Sequence, residues 1–265
     1  MRSFQRRRPR SPYDLHVDGV TWRDATFDQL ALASTEPRWP GYSEYARLQE
    51  RGLRRDALRV VRQFAIKLRD EPLTARWEFV CWLCDELLKP TVVTDPIVPF
   101  PLRTEVVVPT LVEALAMYPE DPRATLWLTS RFSTDLFTLF PGDPEPAVRL
   151  LREQLKRTPD AIEPRRLLAD LLLGQVEDAA HHLAQSAYLG DPATSRARLS
   201  EVRTLLSDPA ANVGPDDPLL TETEHQQDLL DAWIEFLSDS SADFPDWCRR
   251  HNVEPPGGTS YYFNP

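Results

Sequence analysis

From residue 41 onward, apolar positions recur every three to four residues with charged residues between them, the period of helices buried on one side. The segment YSEYARLQERGLRRDALRVVRQFAIKL, residues 42–68, carries this most clearly. Tyr45 and Leu48 lie on a first helix, and Gly52 supplies the left-handed residue at its C-terminal end. Asp56 and Ala57 open a second helix, with Leu58, Val61, Phe64, Ile66 and Leu68 as its apolar side. So short a turn folds the second helix back antiparallel to the first. The same reading predicts five pairs: 42–52 with 54–69, 73–89 with 104–118, 122–140 with 145–157, 162–173 with 176–189, and 192–207 with 222–238. The first 40 residues lack the period. Leu15 to Trp22 alternates around Asp18-Gly19, which fits a small hairpin, and Pro37 and Pro40 close this lead-in.

A longer regularity lies over the helical one. Val107, Leu111, Ala114 and Pro119 are separated by four, three and five residues. Ala147, Leu151, Gln154 and Pro159 repeat those separations, as do Ala180, Ala184, Ala187 and Pro192. Residues at i, i+4 and i+7 share one helical face, and the proline ends the helix a turn later. Leu168, Ala169 and Leu172 form a large–small–large triplet in the helix after Pro159. In these features the chain resembles the tetratricopeptide repeat (TPR) family, a helix pair repeated about every 34 residues. It departs from the family in lacking Trp at the usual first position and in placing Arg69 where the first repeat should have its proline. Two connectors, Pro90 to Arg103 and Asp208 to Leu220, are also long. The resemblance implies an all-α chain: a lead-in at 1–40, a TPR-like α-solenoid of about five pairs at 41–238, and a tail at 239–265 carrying Tyr261, Tyr262 and Phe263. That tail is expected to pack along the last helices, because three exposed aromatics would be a hazard. A generic helical bundle is the competing arrangement.

Composition agrees with many short helices joined by stiff connectors. The chain has 25 Pro and only 9 Gly, and proline starts helices but cannot continue them. The net charge is −10, yet Arg2, Arg6, Arg7, Arg8 and Arg10 crowd the first ten residues. Without those five, 26 basic residues face 41 acidic ones, a body of −15. Such a body repels nucleic acid and anionic membranes, leaving the arginine arm as the one segment suited to phosphate or an acidic partner. The absence of a long apolar run argues against a membrane span, and three cysteines with no secretory signal fit a reducing cytoplasm. The excess of Arg over Lys hints at a GC-rich bacterial source.

The candidate chemistry is sparse. Cys81-Trp82-Leu83-Cys84 has redox or zinc spacing, but it lies mid-helix in an apolar run, where paired cysteines are usually core. Cys248 and His251 would complete a Cys3His zinc set with Cys81 and Cys84. Glu177 and His181 stand four apart beside His182, so a metal or acid–base pair is conceivable there, without the spacing of a known metal motif. No phosphate-cradling glycine motif or nucleophile elbow is present. No catalytic residue and no cofactor is therefore assigned.

The TPR resemblance implies instead a concave groove, lined by successive first helices, that holds a protein or peptide. It puts Trp39, Tyr42 and Gln49 in that groove from the first repeat, and Arg123, Ser130, Arg166 and Asp170 from later ones. Trp39, Arg123 and Arg166 are the residue types that dominate interface energy. The apolar connector Thr91 to Pro101 must be covered or must itself cover something. A non-catalytic interaction module is the leading expectation. An acidic, immunity-type inhibitor of a basic partner comes next, and an enzyme with a helical cavity last.

Overall fold

The computed structural model describes residues 16, 17, 20–88, 96–208, 214, 216–239 and 243–256. They are overwhelmingly helical and divide into two compact units, residues 1–150 and 151–265. The arginine arm and the aromatic triplet Tyr261 to Phe263 lie outside the described residues.

In the first unit, β1 (His16–Val17) pairs antiparallel with β2 (Val20–Thr21), with Val17 opposite Val20, as the alternation around Asp18-Gly19 predicts. Helix α1 (Trp22–Ser34) follows, within a lead-in expected to be non-helical. Its buried stripe Thr26, Leu30 and Ala33 has helical spacing, but exposed Phe27 and Leu32 blur the period in the sequence.

Helices α2 (Pro40–Glu50) and α3 (Arg54–Arg69) form the expected hairpin, turning at Gly52 with φ +73°. A Cβ on Gly41 would stand 2.8 Å from the Phe64 ring, so the missing side chain lets α2 close onto α3. That proximity changes which side of α3 is buried. Ala57, Val61, Ala65 and Leu68 face inward, whereas Leu58 and Ile66, expected on the apolar side, are exposed at 38% and 47%. Small residues take the inner stripe because the neighbouring helix lies so near.

Helix α4 (Leu73–Trp82) ends in a π turn at Leu83–Leu87. After the connector come α5 (Phe100–Leu102), a second π turn at Arg103–Val107, and α6 (Val108–Met117). Helices α4 and α6 pack together as predicted. Val107, Leu111 and Ala114 are buried, and the helix stops at Tyr118 just before Pro119. The single helix expected over 122–140 is two, α7 (Arg123–Ser130) and α8 (Ser133–Leu139). The break places Phe132 fully inside the core, and Arg103, 2.6 Å from Asp135, is held against the Phe132 ring. The unit's core centres on Tyr42, Phe64, Phe79 and Trp82, whose rings meet edge-on or tilted. The division between units falls within α9 (Pro146–Arg157), which closes ahead of Pro159 as its spacing predicts.

The second unit corrects the fourth pair. Residues 162–173 and 176–189 are not a hairpin: α10 (Ile162–Ala180) runs straight through Gly174. A mid-helix glycine costs about 1 kcal/mol, but buried Leu172, Leu173 and Val176 on either side hold the helix together. Ala180, Ala184 and Ala187 consequently share no helix face. Ala184 lies in a short 3-10 turn, Leu183–Gln185, and Ser186 follows in the left-handed region. Pro192 opens α11 (Pro192–Ser207) instead of closing a helix, and the Asp191 carboxylate caps that start by accepting from the Thr194 amide at 2.9 Å. Helix α12 (Pro218–Phe236) packs on α11, the pairing expected for 192–207 with 222–238, and both also pack on α10. A fourth helix, α13 (Phe244–Arg250), lies in the segment expected as a tail. It packs Phe244, Trp247 and Cys248 against Leu183, Trp233 and Phe236.

Candidate functional site

The predicted groove residues fall into two groups in the first unit and one in the second. Trp39, Tyr42 and Gln49 belong to the start and body of α2, but the connector already occupies that face. Tyr42 is completely buried, so it cannot line an open groove as expected. Its hydroxyl donates to the Ile97 carbonyl at 2.6 Å, and the Tyr45 hydroxyl donates to the Pro96 carbonyl at 2.6 Å. Gln49 spends its amide on the Tyr45 oxygen at 3.3 Å. Ile97 and Val98 sink into the core beneath these bonds, whereas Phe100 is exposed; residues 91–95 of the connector lie outside the described residues. Trp39 packs edge-on against Phe79 and borders a surface cleft of about 390 Å³ with Val60, Phe64 and Lys67.

Arg123 and Ser130 begin and end α7. Ser130 is exposed, and its hydroxyl donates back to the Leu126 carbonyl at 2.5 Å. Arg123 is the better-built position. Its guanidinium lies 5.4 Å from the Trp77 ring and 5.9 Å from the Trp127 ring. Asp121 grips it from the other side at 2.6 Å, and Asp85 stands 3.7 Å away. Partial burial pushes the Asp121 carboxyl up, but the hydrogen bonds from Arg123 outweigh it and hold the group below the usual range. Trp77 also meets Tyr118, with ring centroids 6.0 Å apart. Arg123 and Trp77 remain half-buried, so this is a cation over two indoles that solvent still partly reaches. No hydrogen bond, ion pair or ring contact among the described residues joins Trp39, Tyr42 or Gln49 to Arg123. Trp77, Trp127 and Asp121 were not among the expected site residues. The spacings Trp77–Cys81–Asp85 and Arg123–Trp127, each one turn apart, are the signal that could have found them.

In the second unit, Arg166 and Asp170 stand one turn apart on α10. Arg166 is neutralised by Asp217 at 2.8 Å, and the same carboxylate caps α12 by accepting from the Leu219 amide at 3.0 Å. Burial raises the Asp217 carboxyl, and these bonds more than reverse it. Asp170 and Glu177 keep part of their surface exposed and form no ion pair among the described residues. Partial burial first, then the like charges of Glu222, Asp170 and Asp178, push the Glu177 carboxyl up to about 7. Among the described residues Glu222 accepts from the Gln226 amide, at 2.9 Å, and forms no ion pair. Carboxylates such as Glu113, Asp135 and Asp217 are matched to arginines; among the described residues these three are not.

The candidate ligand and nucleophile positions are occupied by packing. Cys84 and Cys248 are buried, and Cys81 is partly so. Burial raises all three thiols, Cys81 to about 11. His251 stacks on Trp247 at 4.0 Å and bonds its carbonyl through Nδ1 at 2.9 Å. Helix α10 ends at Ala180, so His181 follows as a cap, with its ring edge-to-face on His182. Among the described residues, no three His, Cys, Asp or Glu side chains converge to hold a metal ion, and no helix is long and apolar enough to cross a membrane.

No family model matches the chain, and neither a curated protein nor a solved structure matches it.

Proposed function

We propose that this chain is a non-catalytic protein-interaction module of TPR-like helix pairs, and that Arg123 with Trp77 and Trp127 is its principal contact for a protein or peptide partner. The observation that carries this reading is the guanidinium fixed over two indoles by Asp121 while still partly exposed. Arg and Trp dominate measured interface energies, and a side chain already immobilised loses little entropy on binding. Hairpin α2–α3 and the pairing of α4 with α6 support the repeat-like part of the reading. Affinity purification of the full chain from its native host, beside an Arg123→Glu variant, is the direct test. A partner retained by the parent and lost by the variant is the expected result. Identical partner sets from both proteins would remove Arg123 from the role.

A second reading rests on a different observation, the unpaired carboxylates of Asp170, Glu177 and Glu222 on α10 and α12. They suit an acidic inhibitor-like protein that covers a basic partner. This reading requires association that weakens steeply with added salt and with the triple Asn/Gln substitution of those residues, while Arg123→Glu leaves it intact.

A further inference from the structure

Helix α3 is strongly basic within an acidic chain. Its sixteen residues hold Arg54, Arg55, Arg59, Arg62, Lys67 and Arg69 against the single Asp56, a net of 6 − 1 = +5 in a chain of −10. At 100° per residue, Arg55, Leu58, Arg59, Arg62, Ile66 and Arg69 fall within one arc of about 100°. All six are exposed. Arg59 is matched to Asp56 at 3.0 Å, and Arg69 to Asp70 and Glu105. Arg55 and Arg62 form no ion pair among the described residues, unlike Arg76, Arg103, Arg123 and Arg166.

Two aliphatic side chains are set into this basic stripe. Leu58 and Ile66, eight residues apart, stand about two turns from one another with Arg62 midway between them. They border a shallow open depression with Arg55, Arg59 and Arg62. We propose that the outer face of α3 is a docking surface for an acidic amphipathic helix of a partner protein, whose carboxylates pair with Arg55 and Arg62 and whose aliphatic residues cover Leu58 and Ile66.

The partner's chemistry follows from complementarity. Arginine presents a planar fork that a carboxylate fills with two parallel hydrogen bonds. The aliphatic pair, at helical repeat distance, fits anchors at i and i+7 or i+8 of an opposing helix. Phosphate polymers are disfavoured because this stripe carries no aromatic to stack a base and the surrounding chain is strongly acidic. An anionic bilayer is disfavoured because the apolar stripe that would enter it, Ala57, Val61, Ala65 and Leu68, is spent on the core. The surface shares no residue with the Arg123 platform, so each can be altered by its own substitutions.

The test uses the full chain and four fluorescent or labelled probes. These are a helix-forming acidic peptide of about four turns with leucines two turns apart, the same peptide with serines for leucines, a short duplex DNA, and phosphatidylserine vesicles. Binding is followed by anisotropy or co-sedimentation, on the parent and on Arg55→Ala/Arg62→Ala and Leu58→Ser/Ile66→Ser variants. All four positions are exposed, and circular dichroism confirms that the helices persist. The parent binds the leucine peptide at least about tenfold more tightly than the serine peptide, DNA or vesicles, and each double variant loses about tenfold. An Arg123→Glu control binds the peptide like the parent. Equal binding of the two peptides, tighter binding of DNA or vesicles, unchanged binding by either double variant, or no binding of the leucine peptide overturns the proposal.

Discussion

The hydroxyl of Tyr42 on α2 donates a 2.6 Å hydrogen bond to the carbonyl of Ile97, fifty-five residues away in the connector. Both residues are wholly buried. The bond matches a backbone acceptor that would otherwise be stranded in the core, and it holds Ile97 against Tyr42, where a TPR groove was expected.

Replacing that tyrosine is therefore costly although it removes one atom. Tyr42→Phe keeps the ring in its cluster with Phe64, Phe79 and Trp82, yet leaves the Ile97 carbonyl without its partner. Urea unfolding followed by circular dichroism should show a loss of about 1–3 kcal/mol. An unchanged midpoint and slope would mean that the connector is held by burial alone.

The three thiols should behave as inert core groups. At pH 8 a thiol shifted to about 11 is ionised to roughly one part in a thousand, and Cys84 and Cys248 are shielded as well. Iodoacetamide at that pH should label the native chain only very slowly, and label all three cysteines once guanidinium unfolds it. Fast labelling of Cys81, or ready formation of a Cys81–Cys84 disulfide, would restore the redox reading that the CxxC spacing suggests.

Glu177 should make the second unit less stable as the solution becomes neutral. Its folded carboxyl is raised from 4.5 to about 7 by burial, Glu222, Asp170 and Asp178, so the native state holds the proton more tightly than the unfolded chain. The associated stability is fully present below pH 4.5 and is lost as pH rises through about 7. Glu177→Gln should abolish this fall and leave the variant the more stable form at pH 8. Because solvent reaches the carboxylate, the gain there is under about 1 kcal/mol. Thermal unfolding of both proteins from pH 4 to pH 8 checks it, and parallel curves would contradict the shift.

Much of the helical content was legible because local rules carried it. The turn at Gly52 needed a left-handed residue, and only glycine takes that conformation freely. Val107, Leu111 and Ala114 are inward-facing as their spacing requires, and Pro119 and Pro159 follow helix ends. The same rules misled where a residue type has two uses. Proline both closes and opens helices, and Pro192 opens one; Gly174 can break a helix, but its buried neighbours carry α10 through it.

Of the expected site, Arg166 and Asp170 are together on α10 because i and i+4 share a helical face. Arg123 gained Trp77 and Trp127 as partners, and Tyr42 was lost to the core. Nothing in the sequence near Tyr42 announces Ile97.

By itself, then, the sequence determined that this protein is helical, where several helices turn, and which charges it carries, since backbone preference, hydrophobic period and composition act over a few residues. Tertiary structure alone decided that the connector closes over α2, that α10 is continuous, and that Leu58 and Ile66 stand outside among arginines. Each depends on how near another helix or strand of chain approaches. That distance is set by residues far away in sequence, such as Gly41 against Phe64 and Tyr42 against Ile97.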